Sequence, residues 1–175
     1  MMNWSLVSRE YEDEMRALKA SARWLTVLTS VMVLACSLDV SDPVDVEFQV
    51  IEELTFAASL GIDLSAMEVL GNGMYILDIT MGEGEELIPG DQPLARYEGW
   101  LFDGSTFDAG DFGFLLGNNQ VIQGFEQGIL GMKLGGKRRM IIPPALAYGA
   151  QGTGIVPPGA VLIFDVEVVE VVRGN

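Results

Sequence analysis

The 175-residue chain contains no histidine and a single cysteine, Cys36. The first absence removes the commonest general base and the commonest zinc ligand. The second rules out an internal disulfide. Basic residues are also scarce: 10 Lys and Arg stand against 25 Asp and Glu, a net charge of -15. So acidic a chain lacks the basic footprint that nucleic-acid phosphates require, so nucleic acid is not an expected partner. Neighbouring acids such as Glu83, Glu85 and Glu86 lie in a Gly-rich stretch and read as a solvated face. No metal-ligating cluster and no cofactor are expected.

Long apolar runs are missing too. Near the N-terminus, Trp24 to Ala35 reads WLTVLTSVMVLA, without charge. A membrane-spanning helix needs about 20 residues, whereas this length suits the h-region of a secretory signal. Arg16, Lys19 and Arg23 precede it as a basic n-region, while Glu10, Glu12, Asp13 and Glu14 do not suit one, so Met15 is the expected start of translation. Val33-Leu34-Ala35-Cys36 resembles a bacterial lipobox, which implies a lipid anchor on Cys36 and an extracytoplasmic location at the cell envelope. Ser37, not Asp, follows the cysteine, and in a Gram-negative host that implies the periplasmic face of the outer membrane. The alternatives are an ordinary signal or a core helix with a chance cysteine.

The chain thus divides into a signal region (1–35), a tether (36–70) and a domain (71–175). In the tether, Asp42-Pro43 is a plausible helix start. Phe48, Ile51, Leu54, Thr55 and Ala58 recur at helical spacing, and Gly61 could close the helix. An extended arm packed on the domain is the other reading. From Gly73 the texture is β. Strands are expected over Met74–Ile79, Leu94–Phe102, Leu134–Ile142 and Ala160–Val172, with a hairpin-type turn at Asp103-Gly104-Ser105. Leu162, Phe164, Val166 and Val168 alternate with Asp165 and Glu167, which predicts a sheet with one buried side. Val121–Leu130 is the one good helix, with Ile122, Phe125, Ile129 and Leu130 on its apolar face. The expected fold class is α+β, a twisted antiparallel sheet wrapped around one short helix.

Between Val121 and Phe164 lie the short helix, a Gly-rich turn, a strand, the Tyr148-Gly149 corner and the loop Gly154-Ile155-Val156-Pro157-Pro158. These parts can line one apolar pocket without nucleophilic or acid–base groups. With them stand Tyr97-Glu98-Gly99-Trp100, Asp103-Gly104, Phe107-Asp108, Val121-Ile122-Gln123-Gly124, Ala147-Tyr148-Gly149, Ile155-Val156-Pro157-Pro158 and Leu162-Ile163-Phe164-Asp165-Val166. In these motifs, and over roughly Leu70 to Val172, the chain resembles the FKBP-type peptidyl-prolyl isomerases.

The resemblance implies a peptidyl-prolyl cis-trans isomerase, or rotamase, that acts on proline-containing polypeptides, here exported ones. It assigns catalysis to Tyr97, Asp108, Phe125, Tyr148 and Phe164, and substrate binding to Phe107, Phe112, Val121, Ile122, Ile155 and Val156. Tyr97, Phe112, Phe125 and Phe164 would form aromatic walls and floor; Val121, Ile122, Ile155 and Val156 would form aliphatic sides. Phe107 and Asp108 would stand at the rim. The Tyr148 hydroxyl and the Ile122 N–H would each donate to a substrate carbonyl. Phe125 stands where the family often has tryptophan. Ala109-Gly110-Asp111 is shorter than in well-known members and deletes an arginine that commonly pairs with the aspartate at Asp108. The Gln151-Gly152-Thr153-Gly154 loop is also one residue short. Weaker binding of macrolide inhibitors is expected from these departures. The alternative function is a non-catalytic proline-peptide-binding or chaperone module. A further rival is a structural envelope protein whose cleft is plugged, for example by the segment around Phe56.

Overall fold

The computed structural model describes residues 45–174. The signal region, Met15 and Cys36 lie outside them, as do Asp42 and Pro43. Six strands form one antiparallel sheet: β1 (Glu68–Val69), β2 (Tyr75–Thr80), β3 (Gln92–Trp100), β4 (Thr106–Gly113), β5 (Lys137–Ile142) and β6 (Leu162–Val172), in the spatial order β1-β2-β5-β6-β3-β4. One α-helix, α1 (Gln123–Ile129), lies against it. The four strands expected from sequence are all present, within a few residues of their expected bounds. The helix is shorter than expected, because Ile122 is already extended (φ -60°, ψ 147°).

Strand alternation sorts the side chains. Met74 and Ile76, Ala95, Met140 and Ile142, and Leu162, Phe164, Val166 and Val168 all turn toward α1 and form the main core with Phe125 and Ile129. The helix sits very close to the sheet. A Cβ on Gly124 would lie 2.2 Å from Ile142 Cγ2, and one on Gly128 would lie 2.1 Å from Met140 Sδ. Two glycines one turn apart therefore let the helix backbone settle on β5 and carry Phe125 into the concave face. Arg138 fixes the other end. Its guanidinium pairs with Asp78 through two bonds, at 2.6 and 3.0 Å, and donates to the Gly128 and Leu130 carbonyls at the end of the helix. Those carbonyls have no partner further along the helix, so a cation there is favourable.

Two expectations are corrected. The sheet does not have one wet face: Ile51, Leu60, Met67, Tyr75, Ile141, Val161 and Ile163 form a second buried cluster on the side away from α1. The segment that covers it is not an α-helix. It has three 3-10 turns, at Ile51–Glu53, Ala58–Leu60 and Leu64–Ala66, joined by extended chain. Gly61 does end the second turn, in the left-handed region at φ 57°. An α-helix advances only about 1.5 Å per residue, less than half the reach of extended chain, and a mostly extended arm can touch several loops. Gln49 N–H donates to the Gly159 carbonyl at 2.9 Å, and its side-chain oxygen accepts from Val161 N–H at 2.8 Å. Ala57 N–H donates to the Phe102 carbonyl at 2.8 Å, and Tyr75 donates its hydroxyl to Glu52 at 2.6 Å. Arg139 pairs with Asp165 and donates to the Leu60 carbonyl. The residues from Val46 onward form one compact unit.

Candidate functional site

A cavity of about 210 Å³ opens on the α1 side of the sheet, lined by Tyr97, Phe107, Asp108, Phe112, Gln120, Val121, Ile122, Phe125, Tyr148 and Phe164. Each ring has a neighbour. Phe125 and Phe164 meet edge-to-face with centroids 5.3 Å apart, Tyr97 and Phe125 at 5.8 Å, and Phe107 and Phe164 at 5.4 Å. Such contacts add about 0.5–1.5 kcal/mol each beyond the area they bury. A larger depression of about 470 Å³ lies on the opposite face. Its walls include Arg96, Glu98, Lys137, Asp165 and Glu167, whereas Asp108 is the one charged residue in the lining of the ring-lined cavity.

Consecutive strand residues normally face opposite ways, yet Phe107 and Asp108 both line the cavity. The ladder explains this. Gly99 pairs with Asp108 and Trp100 with Thr106, so Phe107 is the extra residue of a β-bulge. Its ring lies over Gly99, where a Cβ would stand 2.7 Å from Phe107 Cζ and 3.0 Å from Phe164 Cε1. Phe107 is therefore part of the wall as much as of the rim.

Asp108 has two partners in place of the missing arginine. Tyr97 donates its hydroxyl to Oδ2 at 2.8 Å, and the Ala109 N–H donates to Oδ1 at 2.9 Å. Burial, then the bond to Asp108 and its charge, push the Tyr97 hydroxyl up to about 12. Burial and the Asp108 charge also raise Tyr148 above the ordinary tyrosine value. Both phenols are thus neutral donors at neutral pH. The Tyr148 hydroxyl and the Ile122 N–H have no protein acceptor among the described residues, and both border the cavity. Glu126 holds the loop before the helix: its buried carboxylate accepts from the Gly117 and Asn118 N–H groups at 2.7 and 3.1 Å. Leu115 N–H donates to the Gln120 side chain at 2.7 Å, which closes the same loop.

The structure brings together nine of the eleven residues expected at the site. The other two are not in the lining. Val156 is buried at 5 % exposure in the core, and Ile155 is 68 % exposed. A tight turn causes this: Thr153 and Val156 exchange both backbone hydrogen bonds, which turns Val156 inward and its neighbour out. Sequence reasoning missed two residues. Gln120 lines the cavity, and Phe114 backs the floor 6.0 Å from Phe125 and 6.1 Å from Phe112. The spacing of Phe112 and Phe114 is the signal of one strand face. Among the described residues, no group of three Cys, Asp or Glu side chains is placed to hold a metal ion.

The comparisons with known proteins agree with this geometry. The family described as FKBP-type peptidyl-prolyl cis-trans isomerase matches residues 83–169. An FK506-binding protein of Neisseria meningitidis serogroup B is 42 % identical over 105 residues, which cover 57 % of this chain and 96 % of the relative. The chain belongs to the FKBP-type peptidyl-prolyl cis-trans isomerases. Among solved structures of this family, AtFKBP13 is 36 % identical with a TM-score of 0.56, over 59 % of this chain and 97 % of that one. A peptidyl-prolyl cis-trans isomerase from Pseudomonas syringae pv. tomato is 32 % identical with a TM-score of 0.57, over 62 % of this chain and 82 % of that one.

In this FKBP-type domain the position of Phe107 depends on a missing Cβ. Gly99→Ala drives the Phe107 ring off Phe164 and is expected to cost about 1–3 kcal/mol in urea unfolding. Gly110→Ala, where a Cβ would meet nothing within 4 Å, is the control and should change stability by less than about 0.5 kcal/mol. Equal effects would show that the ring is not held by this contact.

Proposed function

We propose that the cavity accelerates X–Pro rotation by taking the imide out of water while two donors hold a carbonyl at its mouth. Rotation costs about 18–20 kcal/mol because amide resonance is lost, and uncatalysed exchange takes tens to hundreds of seconds. The twisted bond has lost its C–N double-bond character and is less polar than the planar one. Water stabilises the planar form more, so an apolar cavity lowers the barrier by differential stabilisation. A thousandfold acceleration requires about 4 kcal/mol. The observation that carries this reading is the wall of Tyr97, Phe107, Phe125 and Phe164, with Asp108 bonded to Tyr97 and the Tyr148 hydroxyl left open. The plugged-cleft rival has no support from Phe56, which packs with the cluster on the other face of the sheet.

The reading extends to place and substrate. The lipobox-like Val33-Leu34-Ala35-Cys36 supports an anchor at the cell envelope, where exported polypeptides are the substrates. Phenylalanine at position 125 and the short run Ala109-Gly110-Asp111 offer a large macrolide less ring area and fewer rim contacts than in well-known members, so such inhibitors bind weakly.

Two measurements test this. In a protease-coupled assay on an X–Pro tetrapeptide, the soluble form beginning after Cys36 should accelerate exchange. Tyr148→Phe should lower kcat/KM about tenfold, the loss of one hydrogen bond that is formed with the substrate. Both phenols titrate above their ordinary values, so the rate should be flat from about pH 6 to 9. Binding of the peptide without acceleration would favour the chaperone reading instead. For the anchor, the full chain should partition into the membrane fraction of an expressing bacterium and Cys36→Ser should be released. Retention of the variant would contradict the lipid anchor.

A further inference from the structure

The strand that carries Phe107, Asp108 and Phe112 has one neighbour only: β4 ends the sheet and pairs with β3 alone. One bond shows which of its peptide groups face outward. Leu94 stands opposite Gly113, and the Phe114 N–H donates to the Pro93 carbonyl at 3.3 Å. A bond in that place flanks a pair whose own peptide groups point away from each other. Alternation along the ladder then turns the N–H and C=O of Gly113, Asp111 and Ala109 outward, and those of Phe112, Gly110 and Asp108 toward β3. An independent contact agrees, since the Ala109 N–H is bound by the Asp108 carboxylate rather than by β3.

Proteins usually blunt such an edge with lysine, proline, a central bulge or a covering segment. β4 runs for eight residues without lysine or proline, and its bulge lies near its hairpin end, at Phe107. Its two carboxylates are both engaged away from the edge. Asp108 binds Tyr97, and Asp111 pairs with Arg96 at 2.9 and 3.1 Å. The peptide groups of Asp111 and Gly113 are therefore left open on either side of Phe112, which lines the cavity. Gly110 stands opposite Tyr97 with open space where a Cβ would be, so this position puts no side chain between edge and cavity.

We infer that the β4 edge is a docking rail for the substrate: an extended segment flanking the X–Pro bond adds as a seventh strand along 109–113 while the prolyl ring enters the cavity. This rests on the isomerase reading above. The occupant follows from continuity, because the strand that offers the edge also supplies three residues of the cavity. Recognition through the main chain is indifferent to side chains, which suits an enzyme acting on many sequences. Asp111 and Gly113 lie two residues apart, about 6.8 Å, so a flank of three to five residues engages both.

The test compares an X–Pro tetrapeptide with a ten-residue peptide extended on either flank, each measured on the soluble form beginning after Cys36. The longer peptide, extended on one flank, should have a KM about tenfold lower, from two or more added backbone bonds. Two versions of it, N-methylated at alternate flank positions, separate the faces: one pattern should abolish the gain and the other keep it. Amide exchange at Asp111 and Gly113 should slow with the long peptide and not with the tetrapeptide. Equal KM for all peptides, or equal loss with both methylation patterns, overturns the inference while leaving the isomerase reading intact. Protection of both amides without peptide, together with a dimer in sedimentation, overturns it in favour of a second copy of the chain. No acceleration even of the tetrapeptide overturns the isomerase reading and this inference with it.

Discussion

The structure depends on one contact set, the packing of Phe125 against Phe164, Tyr97 and Phe114. Phe125 comes from the only α-helix among the described residues, and the other three rings come from strands β6 and β3 and from the residue that follows β4. A ring can reach the concave face only if the helix lies nearly against the sheet. Gly124 and Gly128 permit that approach, and Arg138 holds the far end of the helix. The cavity is what remains between the rings and the helix entrance, where Val121 and Ile122 stand before the first turn. The proposed catalysis by shape needs this rigidity, because a floor that moved would admit water with the substrate.

The second cluster gives the same sheet support from behind. The arm from Val46 to Met67 buries Ile51, Leu60 and Met67 against Ile141, Val161 and Ile163. It also bonds to Gly159, just after the Val156-Pro157-Pro158 loop, and to Phe102, at the start of the β3–β4 turn. Tyr148 stands before the first of these loops and Phe107 just after the second, and both line the cavity. The segment that reads as a tether is thus part of the domain, and it braces the elements that bear Phe107 and Tyr148.

Much of this is legible in the sequence, and the reasons for the failures are physical. The alternation in Leu162 to Val168 and the helical spacing of Phe125 and Ile129 give strand and helix directly, since each has its own period. β4 is not legible because Asp108, Gly110, Asp111 and Gly113 are poor strand formers; β3 templates it. The arm misleads because Ile51, Leu54 and Ala58 have helical spacing, yet its stabilisation comes from reaching separated loops. The family motifs bring Ile155 and Val156 to mind as cavity walls, but the Thr153–Val156 turn sends one into the core and the other into solvent. The Tyr97–Asp108 bond joins strands β3 and β4 and has no local signature at all.

The arrangement has neutral phenols, a carboxylate that accepts a bond from one of them, and rings. In the proposed mechanism none of these groups exchanges a proton with the imide as it turns. The rate comparison in H₂O and D₂O on an X–Pro peptide tests that claim most directly. A barrier lowered by desolvation and a held carbonyl predicts a ratio of kcat/KM near unity. A ratio of about two or more would mean a proton in flight at the transition state and would contradict it.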